Sequence, residues 1–223
     1  MDETNPFETR YREYDAWFDS NRNVFESELL AVRAVAPDRR STSARWVEIG
    51  VGSGRFAAAL GVPLGVEPAE GVASLARDRG IDVRKGIAEA LPFEDASMDA
   101  GFLITSLCFI ENMHRAFAEL ARVLVPKGAA VVAFIPLDSP FGRLYASAGQ
   151  DDPFFRRARL RPRAAVIDGL REAGLSLDRA VHTLTGSPAS ANERIEPPRN
   201  GWEGGSFVAV RAGKRSRKGL ENP

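Results

Sequence analysis

Three glycines, Gly50, Gly52 and Gly54, follow the apolar run Trp46–Ile49 at alternate positions, and Glu48 stands two residues ahead of the first. Glycine carries the largest backbone entropy cost, so such a cluster marks a chain that bends tightly or meets another group closely. Where a buried strand turns into a helix, free backbone N–H groups suit an anion or the edge of a nucleotide. The competing reading is a tight β-to-α connection with no ligand. Two phosphate-binding patterns fail here. A dinucleotide fingerprint needs a small residue at position 55, where this chain has Arg55, and no Gly-Lys-Ser/Thr follows for a Walker loop.

Other reactive side chains are sparse. Cys108 is the single cysteine, which excludes an internal disulfide and a cysteine-cluster metal site. At an apolar strand end it reads first as a small buried hydrophobe and second as a nucleophile or metalloid ligand. His114 on a helix and His182 in a late strand read as structural or solvated. Arginines at 156, 157, 159, 161 and 163 adjoin Phe154 and Phe155. They form either a solvated face or, with Arg143, a holder for an anionic acceptor through Arg143 or Arg159. No metal site and no catalytic residue is assigned.

The elements that must position these groups follow from periodicity. Phe7, Tyr11, Tyr14, Trp17 and Phe18 sit at helical spacings over 7–19, and a second helix covers 22–36 before Pro37. From 45 onward, short apolar strands (45–49, 63–68, 81–86, 98–107) alternate with helices (54–60, 69–79, 112–124), and a Pro-Lys-Gly turn leads into Ala129–Ile135. That alternation predicts βαβ units and a mainly parallel sheet. A short helix over 139–149 and a helix over 162–174 ending at Gly174 come next. Strands at 178–185 and 205–213, with no helix between them, predict an antiparallel pair. The expected fold class is α/β, Rossmann-like and doubly wound, with a mostly parallel seven-stranded sheet. One domain over 1–213 is expected: a helical cap (1–40), a core (44–136) and a substrate-side part (137–213), with a disordered tail at 214–223.

Composition bounds the class. At 223 residues, with 30 basic and 30 acidic side chains, the chain carries no net field pointing to nucleic acid or membrane. The polar, acidic start is unlike a secretory signal and no run of about 18 apolar residues occurs. A soluble, cytoplasmic protein is the expectation.

Four segments then bear a family resemblance. EIGVGSG (48–54) resembles the first motif of class I S-adenosylmethionine-dependent methyltransferases. GVEPAEGVASLARDRG resembles the second strand and helix, GIAEALPFEDASMDAGF the segment beside the adenine, and FAELARVLVPKGAAVVAF the helix, turn and fifth strand. They fall in the family's order from about 44 to 136, in the manner of small-molecule, methyltransferase type 11-like enzymes. The resemblance implies S-adenosyl-L-methionine as cofactor. It implies that Glu67 reads the ribose hydroxyls and that Glu48 holds the methionine ammonium, directly or through water. The turn Gly50, Val51, Gly52 and Gly54, with Pro68, Thr105 and Ser106, would line the cofactor.

The sequence departs from the family at two places. Ile87 stands where an Asp commonly accepts from the adenine amino group, so Ile87 only packs on the ring and leaves the Ala88 backbone or Glu89 as polar partners. Glu89 equally reads as a cap for the following turn. A histidine pair after the fourth strand is absent, the chain running TSLCFIEN there. The activity expected is methyl transfer by in-line displacement to a small thiol, amine or hydroxyl, walled by Leu107, Cys108, Phe109, Phe141, Tyr145 and Phe154 and oriented by Arg143. N-terminal aromatics Tyr11, Tyr14, Trp17 and Phe18 read as a lid or as ordinary packing. Two alternatives stand: a catalytically silent cofactor-binding protein, and a nicotinamide-dependent oxidoreductase, which Arg55 disfavours.

Overall fold

The computed structural model describes residues 5–38, 44–148 and 151–214. One sheet carries the architecture, with strands β1 (Trp46–Ile49), β2 (Leu64–Glu67), β3 (Asp82–Lys85), β4 (Met98–Ile104), β5 (Leu124–Phe134), β6 (Leu175–Thr183), β7 (Arg199–Asn200) and β8 (Phe207–Lys214). Their order is β3-β2-β1-β4-β5-β8-β6-β7. β1 to β5 pair parallel, and β8 runs antiparallel between β5 and β6. The order reverses direction between β1 and β4, the place where open α/β sheets bind ligands beyond their strand C-termini.

The apolar runs explain the layers. Along β4, Leu103 faces one core and Phe102 and Ile104 the other, the alternation of a strand buried on both sides. One core takes the helices α6 (Met113–Val123) and α8 (Arg163–Glu172); the other takes α3 (Arg22–Val35), α4 (Arg55–Leu60) and α5 (Glu70–Asp78). α6 starts where the Asn112 side chain accepts from the Arg115 amide, and it buries Ala116, Phe117, Leu120 and Val123. A Cβ on Gly101 would collide with the Leu120 tip, so that helix lies directly on β4. Expected Phe141 is in the second core, and α7 (Pro140–Ala148) carries it.

The sheet has eight strands where the sequence predicts seven. The extra one, β7, is two residues long and pairs with Val181 and His182 inside a polar stretch that carries no alternation. β5 also begins before the Pro-Lys-Gly segment, not after it. Met98 pairs with Leu124 and Ala100 with Ala129, so five residue steps of β5 face two of β4, and Lys127 takes φ +68° within the bulge. Lys214 ends β8, and the rest of the expected tail lies outside the described residues.

The expected first helix is split at Arg10 into α1 (Pro6–Thr9) and α2 (Tyr11–Ser20). Both are held by charge. The Arg55 guanidinium donates to Asp15 (Nε–Oδ1 2.9 Å) and to Asp19 (Nη1–Oδ1 2.6 Å). Arg79 donates to the same Asp15 at 2.8 Å and to the Ser53 carbonyl. The Glu8 carboxylate accepts from the Glu70 and Gly71 amides at the start of α5. Burial opposes the charge on Asp15, yet the hydrogen bonds from Arg55 and Arg79 outweigh it and hold its carboxyl down at about 2.

Two outcomes follow. Phe117→Ala, emptying a fully buried site, costs about 3–5 kcal/mol in a urea titration. Asp15→Asn costs about 2 kcal/mol at neutral pH, from the fall of its carboxyl from 3.8 to about 2. A depressed carboxyl stabilises above its unfolded value and loses that stabilisation as pH falls through the folded one. The gap between wild type and Asp15→Asn therefore closes between about pH 4 and pH 2, and a gap constant over that range contradicts the assignment.

Candidate active site

The strand C-termini open into a cleft of about 640 Å³. Its floor is the turn after β1. Gly50 (φ +71°) and Gly54 (φ +81°) take left-handed backbone, and each also meets a neighbour: an added Cβ would lie 2.5 Å from Ser106 Cβ at the first and 2.9 Å from Ala76 Cα at the second. These two glycines let the tips of β1 and β4 close up and let α4 start against α5. Gly52 does different work, since its amide points to Glu67.

Glu67 at the end of β2 lines the cleft and accepts from the Gly52 amide (3.0 Å) and the Ala69 amide (3.1 Å). Burial raises its carboxyl despite those two donors. Each carboxylate oxygen has a further lone pair to offer a hydroxyl. Ile87 and Ala88 form part of the wall beside it, and Ile87 is 49 % exposed, an aliphatic chain presented to open space. Pro68 lines the same wall.

Thr105 and Ser106, the two residues after β4, also line the cleft. Thr105 has φ +52°, a left-handed conformation strained for a β-branched residue, and its amide bonds Ala133 O. Ser106 Oγ donates to the Ile49 carbonyl at 2.8 Å. Cys108 follows, and burial pushes its thiol up to about 12, so it stays neutral and is a poor nucleophile.

A second, smaller cavity of about 220 Å³ adjoins the cleft. Phe7, Tyr14, Thr105, Cys108, Phe109 and Phe154 line both spaces and form the partition between them. The partition is aromatic: the Phe7 ring meets Tyr14 at 5.2 Å, Phe109 at 5.2 Å and Phe154 at 5.5 Å. Behind it stand Trp17, Phe18, Leu107 and Tyr145, the last stacked on Phe155 at 4.4 Å. Desolvation raises the phenols of Tyr14 and Tyr145, so both remain neutral donors.

Several expected residues lie elsewhere. Glu48, Val51 and Gly54 stand behind the cleft wall, not on it. Glu48 is 2 % exposed and its carboxyl is raised by burial, with the Ala57 amide opposing, and its Oε2 has no hydrogen-bond partner among the described residues. Glu89 lines the cleft but its Oε1 accepts from the Glu111 and Asn112 amides, capping the entry to α6. Arg143 faces neither cavity and donates to the Asp138 carbonyl. Tyr11 also lines neither.

The arginine run divides by position. Arg163 ties Asp138 to the carbonyls of Trp202 and Gly204. Arg156, Arg157 and Arg159 border the cleft, and Arg161 borders the smaller cavity. His114 faces Glu172 on the surface, and His182 Nδ1 lies 3.1 Å from the Gly201 carbonyl. Two residues escaped the sequence reading: Arg55, which serves as the anchor of α2, and Glu28, a buried carboxyl on the cavity wall. Nothing local marks Glu28 as internal, because charged residues on an amphipathic helix ordinarily face water.

The methyltransferase-domain family matches residues 47–132. A Thermotoga maritima structure described as an S-adenosylmethionine-dependent methyltransferase, possible histamine N-methyltransferase, is 38 % identical, covers 94 % of this chain and 98 % of that one, and superposes with a TM-score of 0.87. An uncharacterized protein of Methanocaldococcus jannaschii is 33 % identical over 94 % of this chain and 99 % of its own length. A geranyl diphosphate methyltransferase solved with sinefungin shares the fold, at 17 % identity and a TM-score of 0.62 over 84 % of this chain and 76 % of that one. By domain match, relatives and fold together, the chain belongs to the class I S-adenosylmethionine-dependent methyltransferases.

Proposed function

We propose that this methyltransferase acts on a small molecule held in the 220 Å³ cavity, across the aromatic partition from the cofactor cleft. One observation carries the reading: the two spaces share a wall just beyond the C-terminal end of β4, so donor and acceptor can meet there. The acceptor space is small and largely apolar, which suits a compact thiol, amine or hydroxyl compound better than a nucleic acid.

The cofactor cleft fits S-adenosylmethionine on its own chemistry. Glu67 keeps unused acceptor capacity beside the glycine turn, which suits a vicinal diol. Ile87 offers an exposed aliphatic face that suits an adenine ring. Glu89 caps α6 through Oε1 and lines the cleft, so its Oε2 and the Ala88 backbone are the polar groups on offer to that ring. Glu48 lies outside the cleft lining, with the Ala57 amide as its polar contact. When bound, S-adenosylmethionine supplies a methyl group on an already activated sulfonium. What the chain adds is alignment and the exclusion of water, and alignment alone supplies roughly 7–11 kcal/mol of such barriers. The neutral thiol of Cys108 makes covalent catalysis through that residue unfavourable.

Glu67→Ala tests the ribose assignment. Its expected effect is a loss of about 10–100-fold in affinity for S-adenosylmethionine and S-adenosylhomocysteine, read by calorimetry, because buried hydroxyls lose a charged acceptor. Undiminished affinity removes the assignment. Transfer of a radiolabelled methyl group to a panel of thiols, amines, phenols and carboxylates tests the acceptor class, and label found only in RNA, DNA or protein overturns the small-molecule reading.

A further inference from the structure

Glu28 lies in the middle of α3 and is 4 % exposed. It lines the smaller cavity, and no hydrogen bond or ion pair from the described residues reaches its carboxyl. A buried carboxyl without a partner is costly, and sites that keep one usually keep it for a ligand. Burial alone pushes it up to about 8, with no neighbouring cation to offset the effect. The rings of Tyr14, Trp17, Phe18 and Tyr145 line the same cavity, and the Glu28 charge is felt by the Tyr14 and Tyr145 phenols. Aromatic faces carry negative potential and draw organic cations, most strongly where water is excluded. Glu13 and Asp152 border the same space, giving three carboxyls against the one guanidinium of Arg161 among the lining residues.

We infer that the cavity is an amine site: Glu28 and the rings of that cavity receive a hydrophobic organic amine as its ammonium, Glu28 takes one proton from it, and the freed nitrogen lone pair would accept the methyl group as the carbon–sulfur bond breaks with its electrons left on sulfur. The inference rests on the reading of this cavity as the acceptor space and narrows it from three nucleophile classes to one. A hydroxyl or thiol would leave the carboxyl with at most a neutral hydrogen bond, whereas an ammonium gives it a charge-assisted one at a buried site. Arg161, whose buried Nε has no partner among the described residues, stands on the same walls and would receive a hydrogen-bond acceptor carried elsewhere on the molecule.

The test compares three ligands of one shape: 2-phenylethylamine, 2-phenylethanol and 2-phenylethanethiol. Each is titrated into the full chain loaded with S-adenosylhomocysteine, with Trp17 in the cavity wall providing a fluorescence signal that Trp17→Phe identifies. The expected result is binding of the amine at least tenfold tighter than either analogue, and loss of that preference in Glu28→Gln while S-adenosylhomocysteine affinity, measured by calorimetry, is unchanged. Equal binding of all three ligands by wild type overturns the amine inference and leaves the small-molecule acceptor space standing. Binding of none, with S-adenosylhomocysteine still bound, overturns both. If Glu28→Gln fails to fold, the wild-type ranking alone decides. An amine preference that survives in a folded Glu28→Gln removes Glu28 from the site.

Discussion

Asp15 receives two guanidiniums at once, from Arg55 at the start of α4 and Arg79 at the end of α5, and both cavities take their form from that junction. Its neighbour Tyr14 is thereby set against the glycine turn, with its hydroxyl 3.5 Å from where a Gly52 Cβ would lie. The junction is mostly shielded, with the Asp15 side chain 15 % exposed, so it is far less screened than a surface pair. It also adds a second contact, the Arg55 guanidinium lying 5.6 Å over the Phe18 ring. Without it, α1 and α2 would rest on the domain through Glu8 and a set of aromatic edges.

Much of this arrangement was legible in the residues because it depends on local pattern. Strand–helix alternation, the glycine turn and the acid at the tip of β2 each have signatures a few residues long. What was not legible depends on tertiary closure. Arg55 reads only as a residue too large for a dinucleotide turn, since its partners Asp15 and Asp19 are far away in sequence. Glu28 reads as one more charge on an amphipathic helix until α2 and α7 come to lie beside it. Arg143 erred in the opposite direction: the helix carrying it follows β5 at the ligand-binding edge, but the side chain turns outward. β7 pairs over two residues, too short for any periodicity to register.

Buried carboxyls gather around the ligand spaces. Glu28, Glu48 and Glu67 are all raised, in each case chiefly by loss of water. Such groups reduce stability and recover it only when a partner arrives, the pattern expected where function and stability compete. Thr105 adds backbone strain at the same place. Rigid elements surround these costs: β1 and β4 pair in register and α6 lies flush on Gly101.

Tyr14 borders both spaces, and the helix that carries it is held to the body of the protein by the Asp15 cluster, by Asn192 donating to the Ser20 carbonyl and by ring contacts of Tyr14 and Phe18. A displacement of that side chain would change the shape of both spaces at once, so what fills one is felt by the wall of the other.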